Sequence, residues 1–378
     1  VATVLVWTIA NWVIDSRTEE PDPHDKVVFA DGSEDRGPGQ PTPDPTPAPV
    51  QTSFSHDFDL PLKHSSPIRY IAVTRDGERA ASADDTGLIC LWDLSKKVQV
   101  ESLQHPEPVT ELCFTADGAQ LAVLSADTRS FLLYTVGSDS EPHALPPPHG
   151  PTRLYSQGLD DSITLLTSSP TQFIVHSPED GAPSTRLAGS PEWSVFEVAR
   201  GEHDWTVAGW DKLSKLWKIA FFEENGHTEI FEVPPVFSLA IGPDSYVAIG
   251  GYGPSSGIGG YGPSGGVLAG KIGGRPKPID STNERLFYND VAFSKDGTYL
   301  FGLSRHIPKG AEPNSTLLRA WKSTDDFEKV AEEKSLDYAV TAAAFAVQTH
   351  QLLVASSSGL HVWQLPGAPV TAAPNMAP

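Results

Sequence analysis

Two glycine-rich stretches carry the spacing of phosphate-binding loops. Gly260-Tyr261-Gly262-Pro263-Ser264-Gly265 fits G-x-G-x-x-G, and Gly265 to Lys271 fits the opening of a P-loop. In such loops backbone N–H groups cradle phosphate at the start of a helix, and a Ser or Thr after the lysine holds magnesium. Neither stretch runs into a helical pattern, Pro263 stiffens the loop, and Ile272 stands where the Ser or Thr would be. Nucleotide binding is not expected, and no cofactor is assigned.

The other reactive residue types are scattered. Twelve histidines spread along the chain without the close pairing of a metal site. His105 and His149 fall in proline-rich loops, while His176 and His361 fall in apolar strands, where a satisfied structural role is the expectation. The acidic pairs Glu19-Glu20, Asp84-Asp85, Glu223-Glu224 and Asp325-Asp326 lack the spaced oxygen ligands of a calcium loop and read as solvated turns. No metal site is expected. Neither a Gly-x-Ser-x-Gly elbow nor a His-Glu-x-x-His helix occurs, so the common hydrolase signatures are missing and no catalytic residue is assigned. Cys90 and Cys113 are the only cysteines, each within an apolar strand, and read as buried thiols.

A better signal for recognition is a duplication. Gly250-Gly251-Tyr252-Gly253-Pro254-Ser255-Ser256-Gly257 nearly recurs as Gly259-Gly260-Tyr261-Gly262-Pro263-Ser264-Gly265-Gly266. Glycine permits tight turns and each tyrosine offers a large amphipathic surface, so Tyr252 and Tyr261 are candidate partner contacts. A flexible solvated insert is the equal alternative. Asn314-Ser315-Thr316 has the pattern of a glycosylation sequon.

These residues must be positioned by a chain of 378 residues that carries a net charge of -21. That charge argues against binding nucleic-acid phosphates, which needs a basic surface. An acidic body instead attracts cationic partners. Thirty-four prolines and thirty-two glycines suit a loop-rich all-β chain. One unit recurs about every forty residues: a strand ending in an Asp-Gly turn, an alternating apolar strand, and a third strand that often closes on Trp. Its best copy runs Ile68 to Thr74, Arg75-Asp76-Gly77, Ala80 to Ala83, Asp84-Asp85-Thr86-Gly87, then Leu88 to Leu94 with Trp92-Asp93. Seven units can be parsed from Ser66 onward, with Trp217, Trp321 and Trp363 at the place of Trp92. The seventh has no fourth strand after Leu365, but Ser53 to Leu62 is an orphan strand with alternating Phe54, Phe58 and Leu60. Joining the two closes a ring and covers edges that would otherwise aggregate.

The chain resembles the WD40 family of β-propellers over roughly Ser53 to Leu365. The likeness is strongest in Ala81 to Asp93 and in the turns at Asp76, Asp117 and Asp296. No Gly-His pair opens a blade and only the first unit keeps Trp-Asp, so the hydrogen-bonded His and Asp networks of the family are not expected. The resemblance implies an all-β, seven-bladed WD40-like propeller whose usual role is a rigid platform for protein partners.

The first residues differ from everything after them. Val1 to Ile14 has no charge until Asp15. It is shorter than the roughly 20 residues that cross a bilayer, and is read as the visible end of one membrane helix. A signal's apolar core, or a helix docked on a partner, are the alternatives. Trp7 and Trp12 would suit the interfacial aromatic belt, giving a lipid contact. The acidic flank that follows, with few Lys or Arg, leans to the periplasmic or extracytoplasmic side. Pro38 to Pro49 favours polyproline II, a semi-rigid spacer that reaches on the order of 37 Å. The expected organisation is an anchor over 1–16, an acidic proline-rich linker over 17–51, a propeller over 52–365 and a disordered tail over 366–378. The function expected is a non-catalytic, membrane-tethered accessory or scaffold subunit of a larger membrane complex, a respiratory or photosynthetic assembly being one conceivable host. The alternative is an enzyme or small-ligand binder that uses the central channel.

Overall fold

The structure, a computed structural model, describes residues 51–368 other than 62, 75, 116, 126–130, 139–140, 146–151, 156–163, 169–171, 177–182, 189–192, 201–203, 224–227, 253–264, 273, 280–285, 307–315 and 324–326. All of them lie in one compact unit that runs from Ala48 to the end of the chain. The expected anchor, Trp7, Trp12, nearly all of the linker, and Tyr261 lie outside the described residues. Among the described residues, no helix is long and apolar enough to cross a membrane.

Among the described residues, alternating apolar strands separated by tight turns give seven four-stranded antiparallel sheets. Blade 1 holds Ile68–Val73, Arg79–Asp84, Leu88–Asp93 and Val98–Gln104. Blade 2 holds Val109–Phe114, Gln120–Ser125, Phe131–Thr135 and His143–Leu145. Blade 3 follows with Thr152–Tyr155, Thr164–Ser168, Gln172–His176 and Pro183–Ala188, and blade 4 with Trp193–Arg200, Asp204–Asp211, Leu216–Glu223 and Thr228–Glu232. Blade 5 consists of Val236–Gly242, Tyr246–Tyr252, Gly265–Lys271 and Lys277–Pro278; blade 6 of Leu286–Phe293, Tyr299–His306, Thr316–Lys322 and Glu328–Leu336. Blade 7 takes Ala342–Ala346, Gln351–Ser356 and Gly359–Gln364 from the end of the chain and Ser55–Pro61 from its beginning. The first strands of blades 1, 2 and 3 touch in turn, as do those of blades 4, 5, 6 and 7, and blade 7 returns to blade 1. This is a β-propeller.

The Asp-Gly turns owe their shape to one repeated piece of chemistry. At Thr74, Thr115 and Ser294 the hydroxyl donates to the carboxylate of Asp76, Asp117 and Asp296 at 2.6, 2.7 and 2.6 Å. The same hydroxyl accepts the N–H of Arg79, Gln120 or Tyr299, each at 2.9 Å. Each aspartate also accepts an N–H two residues on, from Glu78, Ala119 and Thr298. The glycine that follows the aspartate sits at φ +70, +65 and +69, a region that costs glycine little and other residues more. At Gly77 a Cβ would also lie 2.3 to 2.9 Å from the side chain of Thr349 in the turn of blade 7. Gly77→Ala should therefore lower stability in a urea melt by about 1–3 kcal/mol. Gly137→Ala, with φ +74 and nothing within 4 Å, should cost less.

A second repeated device bends the innermost strands. The pairing of first with second strand slips by one residue at Arg69, Thr110, Phe196, Phe237 and Asn289 in blades 1, 2, 4, 5 and 6. Such bulges increase local twist and re-aim a side chain.

A four-stranded propeller sheet buries both of its faces only when stacked between neighbours. The core is accordingly a series of inter-blade layers. Leu60, Ile68, Ala80, Cys90 and Trp92 pack with Leu353, Ala355, Leu360 and Val362 between blades 1 and 7. The other face of blade 1, through Ala81, Ala83, Ile89 and Leu91, packs on Val109, Leu121 and Val123 of blade 2. Comparable layers join blades 4 to 5, 5 to 6 and 6 to 7. Cys90 and Cys113 are buried thiols that do not pair with each other, and burial pushes the Cys90 thiol up to about 11.

The orphan strand pairs as its alternation predicts, with Ser55 opposite Gln364 and Pro61 opposite Gly359. The junction extends further than expected. Gln51 donates to Ala368 O at 2.9 Å and Gly367 donates back to Gln51 O at 2.8 Å. Pro366 and Ala368 are buried. Residues 366–368, expected as the start of a disordered tail, are thus packed, because Gln51 supplies partners for their backbone.

Candidate functional site

Blade 1 contains a hydrogen-bonded chain that its sequence hides. His64 precedes the first strand and follows Lys63, so it lacks the Gly-His signature. Its Nδ1 lies 3.1 Å from Asp84 Oδ2 and its Nε2 2.8 Å from Ser82 Oγ, to which Trp92 Nε1 donates at 2.9 Å. The donor inventory closes with a neutral imidazole. Trp92 N–H donates to Ser82, the Ser82 hydroxyl to His64 Nε2, and His64 Nδ1–H to Asp84. The other carboxylate oxygen, Asp84 Oδ1, accepts from the backbone and hydroxyl of Thr86 at 2.8 and 2.6 Å and from the N–H of Leu88 at 3.2 Å. Burial pulls His64 below its ordinary value, outweighing the raising effect of Asp84. For Asp84 burial pushes upward, but the bonds from Thr86 and His64 prevail and hold the carboxyl low.

A serine, a histidine and an aspartate in this order have the connectivity of a hydrolase triad. Here Ser82 and Asp84 are 0% exposed and the serine oxygen already holds the Trp92 indole. The arrangement clamps the second and third strands of the blade to the loop that leads into the first. The expectation that this network would be missing is corrected: a lysine replaces the glycine of the motif, and the histidine keeps its place.

Residues 59–93 match the WD40 family model, described as WD domain, G-beta repeat. These residues form one WD40 repeat. A comparison with curated proteins gives no match. The matched WD40 span includes His64, the Asp76 turn, Ser82, Asp84 and Trp92-Asp93, and it begins on Asp59, in the outer strand of blade 7. Repeat and sheet are therefore out of phase by one strand. The Trp-Asp pair divides its work: Trp92 is buried, while Asp93 caps the next turn through Ser95 Oγ at 2.7 Å and Lys96 N–H at 2.9 Å.

The WD40-like ring places a second histidine cluster at its junction. His361 in blade 7 directs Nδ1 to Asp59 Oδ1 at 2.6 Å, and His56 directs Nε2 to the same oxygen at 2.8 Å. On its far side, His361 Nε2 lies 2.7 Å from Ser356 Oγ and 3.2 Å from Ser358 Oγ. Tyr338 stacks on the His361 ring at 4.1 Å and takes the indole N–H of Trp363 at 2.8 Å, the role that Ser82 plays for Trp92. Burial pushes the Tyr338 phenol up to about 12. Burial also tends to raise Asp59, but the hydrogen bonds from His56 and His361 outweigh it and hold the carboxyl below its usual range. Sequence reading places His361 in a strand and does not mark His56 or Asp59; Asp59 and His361 are 302 residues apart.

A third feature lies among the innermost strands. A recess of about 280 Å3 is lined by Arg69 and Tyr70 of blade 1, Asn289 and Asp290 of blade 6, and Val340 and Thr341 beside blade 7. Arg69 and Asn289 are two of the bulged residues. Arg69 pairs with Asp85 at 3.0 Å, and Asn289 Oδ1 is buried without a hydrogen-bond partner.

Of the residues singled out for partner binding, only Tyr252 has a described backbone, at the end of its strand opposite Gly265. The duplicated insert at 253–264 lies outside the described residues. Gly265 to Lys271, which carries the P-loop spacing, is a strand paired along its length with Tyr246–Tyr252, so its backbone N–H groups serve the sheet.

Proposed function

We propose that the chain is a non-catalytic, membrane-tethered propeller that acts as an accessory or scaffold subunit of a larger membrane complex. A WD40 domain is in general a platform for protein partners. The observation that carries the reading is the ring itself, whose best-kept repeat is locked by a buried polar network and whose ends are paired. Such a body offers rigid rims, and at its junction the last of the described strands is paired rather than left as an edge. The apolar run Val1 to Ile14 supplies the tether and Pro38 to Pro49 the spacer. The acidic first flank favours an extracytoplasmic propeller, and a net charge of -21 favours partners with basic faces. Tyr252 and Tyr261 are the contacts proposed for its loop surface.

Extraction of native membranes in mild detergent, followed by size-exclusion chromatography, tests this. The chain should elute with other subunits in an assembly larger than itself. Elution only as a free monomer, in several mild detergents, would overturn the proposal. Small-ligand binding in the inner recess is a second reading, favoured by the unpartnered Asn289 Oδ1. It ranks lower because Arg69, the cation among the described residues that line the recess, is already engaged by Asp85.

A further inference from the structure

We propose that His56 Nε2, Asp59 Oδ1 and His361 Nδ1 form a binding site for a divalent transition metal of the zinc class. The site would clip the first strand of the ring to the last. It stands on the junction geometry and is independent of the platform reading. The three donor atoms lie within 4.8 Å of one another. They come from two strands whose pairing is fixed by the sheet, with Asp59 opposite His361 and His56 opposite Trp363.

Two imidazole nitrogens converge on one carboxylate oxygen, at 2.8 and 2.6 Å. Each nitrogen must carry a proton to make that contact, and a cation can take the place of both protons. Zinc holds N and O donors at about 2.0–2.2 Å, which sets neighbouring donors roughly 3.3 Å apart in a tetrahedron. The two contacts therefore have to open by about 0.5 and 0.7 Å. His56 and Asp59 are 40% and 60% exposed, which gives them room to do so, opens an entry path and leaves space for water as a fourth ligand.

The surroundings of His361 fit a ligand better than a bystander. A metal-bound histidine ordinarily donates its second ring N–H to a neighbour, which fixes ring and tautomer. Ser356 Oγ stands 2.7 Å from that second nitrogen, and it can accept or donate because its bond to Ser358 Oγ is reversible in sense. In the metal-free protein Nδ1 carries the proton and a serine donates to Nε2. With metal on Nδ1, Nε2 carries the proton and Ser356 accepts. Tyr338 stacks on the His361 ring at an interplanar angle of 21°, and Trp363 meets the His56 ring edge-on at 5.3 Å, so both imidazoles are aimed. Two imidazoles and a carboxylate suit zinc, cobalt, nickel or copper, whereas magnesium and calcium prefer sites built from oxygen.

The test is titration of the chelator-treated full chain with zinc, followed by isothermal calorimetry, and with cobalt, followed by visible absorption. Wild type should take about one zinc per chain, show cobalt bands of low-symmetry N/O coordination, and melt at a higher temperature with zinc present. His56→Ala and Asp59→Asn alter exposed side chains and should fold; each should weaken zinc by about tenfold or more and abolish the melting shift. His143→Ala, at an exposed histidine elsewhere in the ring, should leave binding intact. No stoichiometric uptake by wild type, or equal uptake by His56→Ala, would overturn the proposal.

Discussion

A chain that starts at Gln51 should unfold in one cooperative urea transition, and a chain that starts at Lys63 should not. The two differ by the strand Ser55–Pro61 and its approach. Losing it strips the backbone pairing from Gly359–Gln364 and removes Leu60, which is 1% exposed in the layer between blades 1 and 7. A buried leucine alone is worth about 2–5 kcal/mol. Adding the ladder of hydrogen bonds, each worth about 1 kcal/mol net, brings the loss near the 5–15 kcal/mol that holds a typical domain together. The comparison is read by tryptophan fluorescence, since Trp363 faces the lost strand. Leu60→Asp in the longer chain should reproduce most of the effect. Equal, cooperative transitions for the two chains would show that the ring does not depend on this strand.

The second large effect is expected at Asp84. Asp84→Ala leaves the buried His64 without its acceptor and also releases the part-buried bonds from the Thr86 and Leu88 N–H groups and the Thr86 hydroxyl. The cost should be about 3–5 kcal/mol by chemical denaturation. Asp93→Ala, nine residues on, alters an aspartate whose turn is open to water and should change little. The network also sets a pH dependence. His64 titrates lower in the folded protein than its ordinary 6.5, so the unfolded chain takes the proton first. Its contribution is complete above that value and is lost as the pH falls below it. Asp84 titrates lower than 3.8, so its contribution remains until more acid conditions and is lost as the pH drops through the folded value. Stability should therefore decline from pH 7 to pH 5.5 less in His64→Asn than in wild type. Parallel slopes would remove His64 as the cause.

How far the sequence reaches can be judged at individual residues. The turns at Asp76, Asp117 and Asp296 are legible because every bond in them spans at most five residues. The strands are legible from alternation, and the closing partner of blade 7 from an apolar pattern with no neighbour of its own. Local chemistry stops there. His64 is hidden because recognition leaned on the residue before it, while the fold needs only an imidazole at the mouth of the first strand. Pro366 to Ala368 read as a break because proline interrupts strands, yet Gln51 accepts the Gly367 N–H and donates to the Ala368 carbonyl. The cluster of His56, Asp59 and His361 is invisible for a different reason: three hundred residues separate its members, and only the ring brings them together. The slip at Arg69 and Asn289 that shapes the inner recess is equally unmarked, because a bulge leaves no signature in composition.

The phase offset between repeat and sheet has a consequence for how the molecule is made. Ser55–Pro61 leaves the ribosome before any of the ring's other described strands, and its partner, Gly359–Gln364, follows all of them. Throughout synthesis the earliest strand is an unclaimed edge, and unclaimed edges invite other chains. Its sequence, Ser-His-Asp-Phe-Asp-Leu-Pro, meets that hazard with two carboxylates, a histidine and a terminal proline around only two apolar side chains. The residues that later knit the ring shut are thus also the ones that keep a waiting strand soluble for the length of a translation cycle.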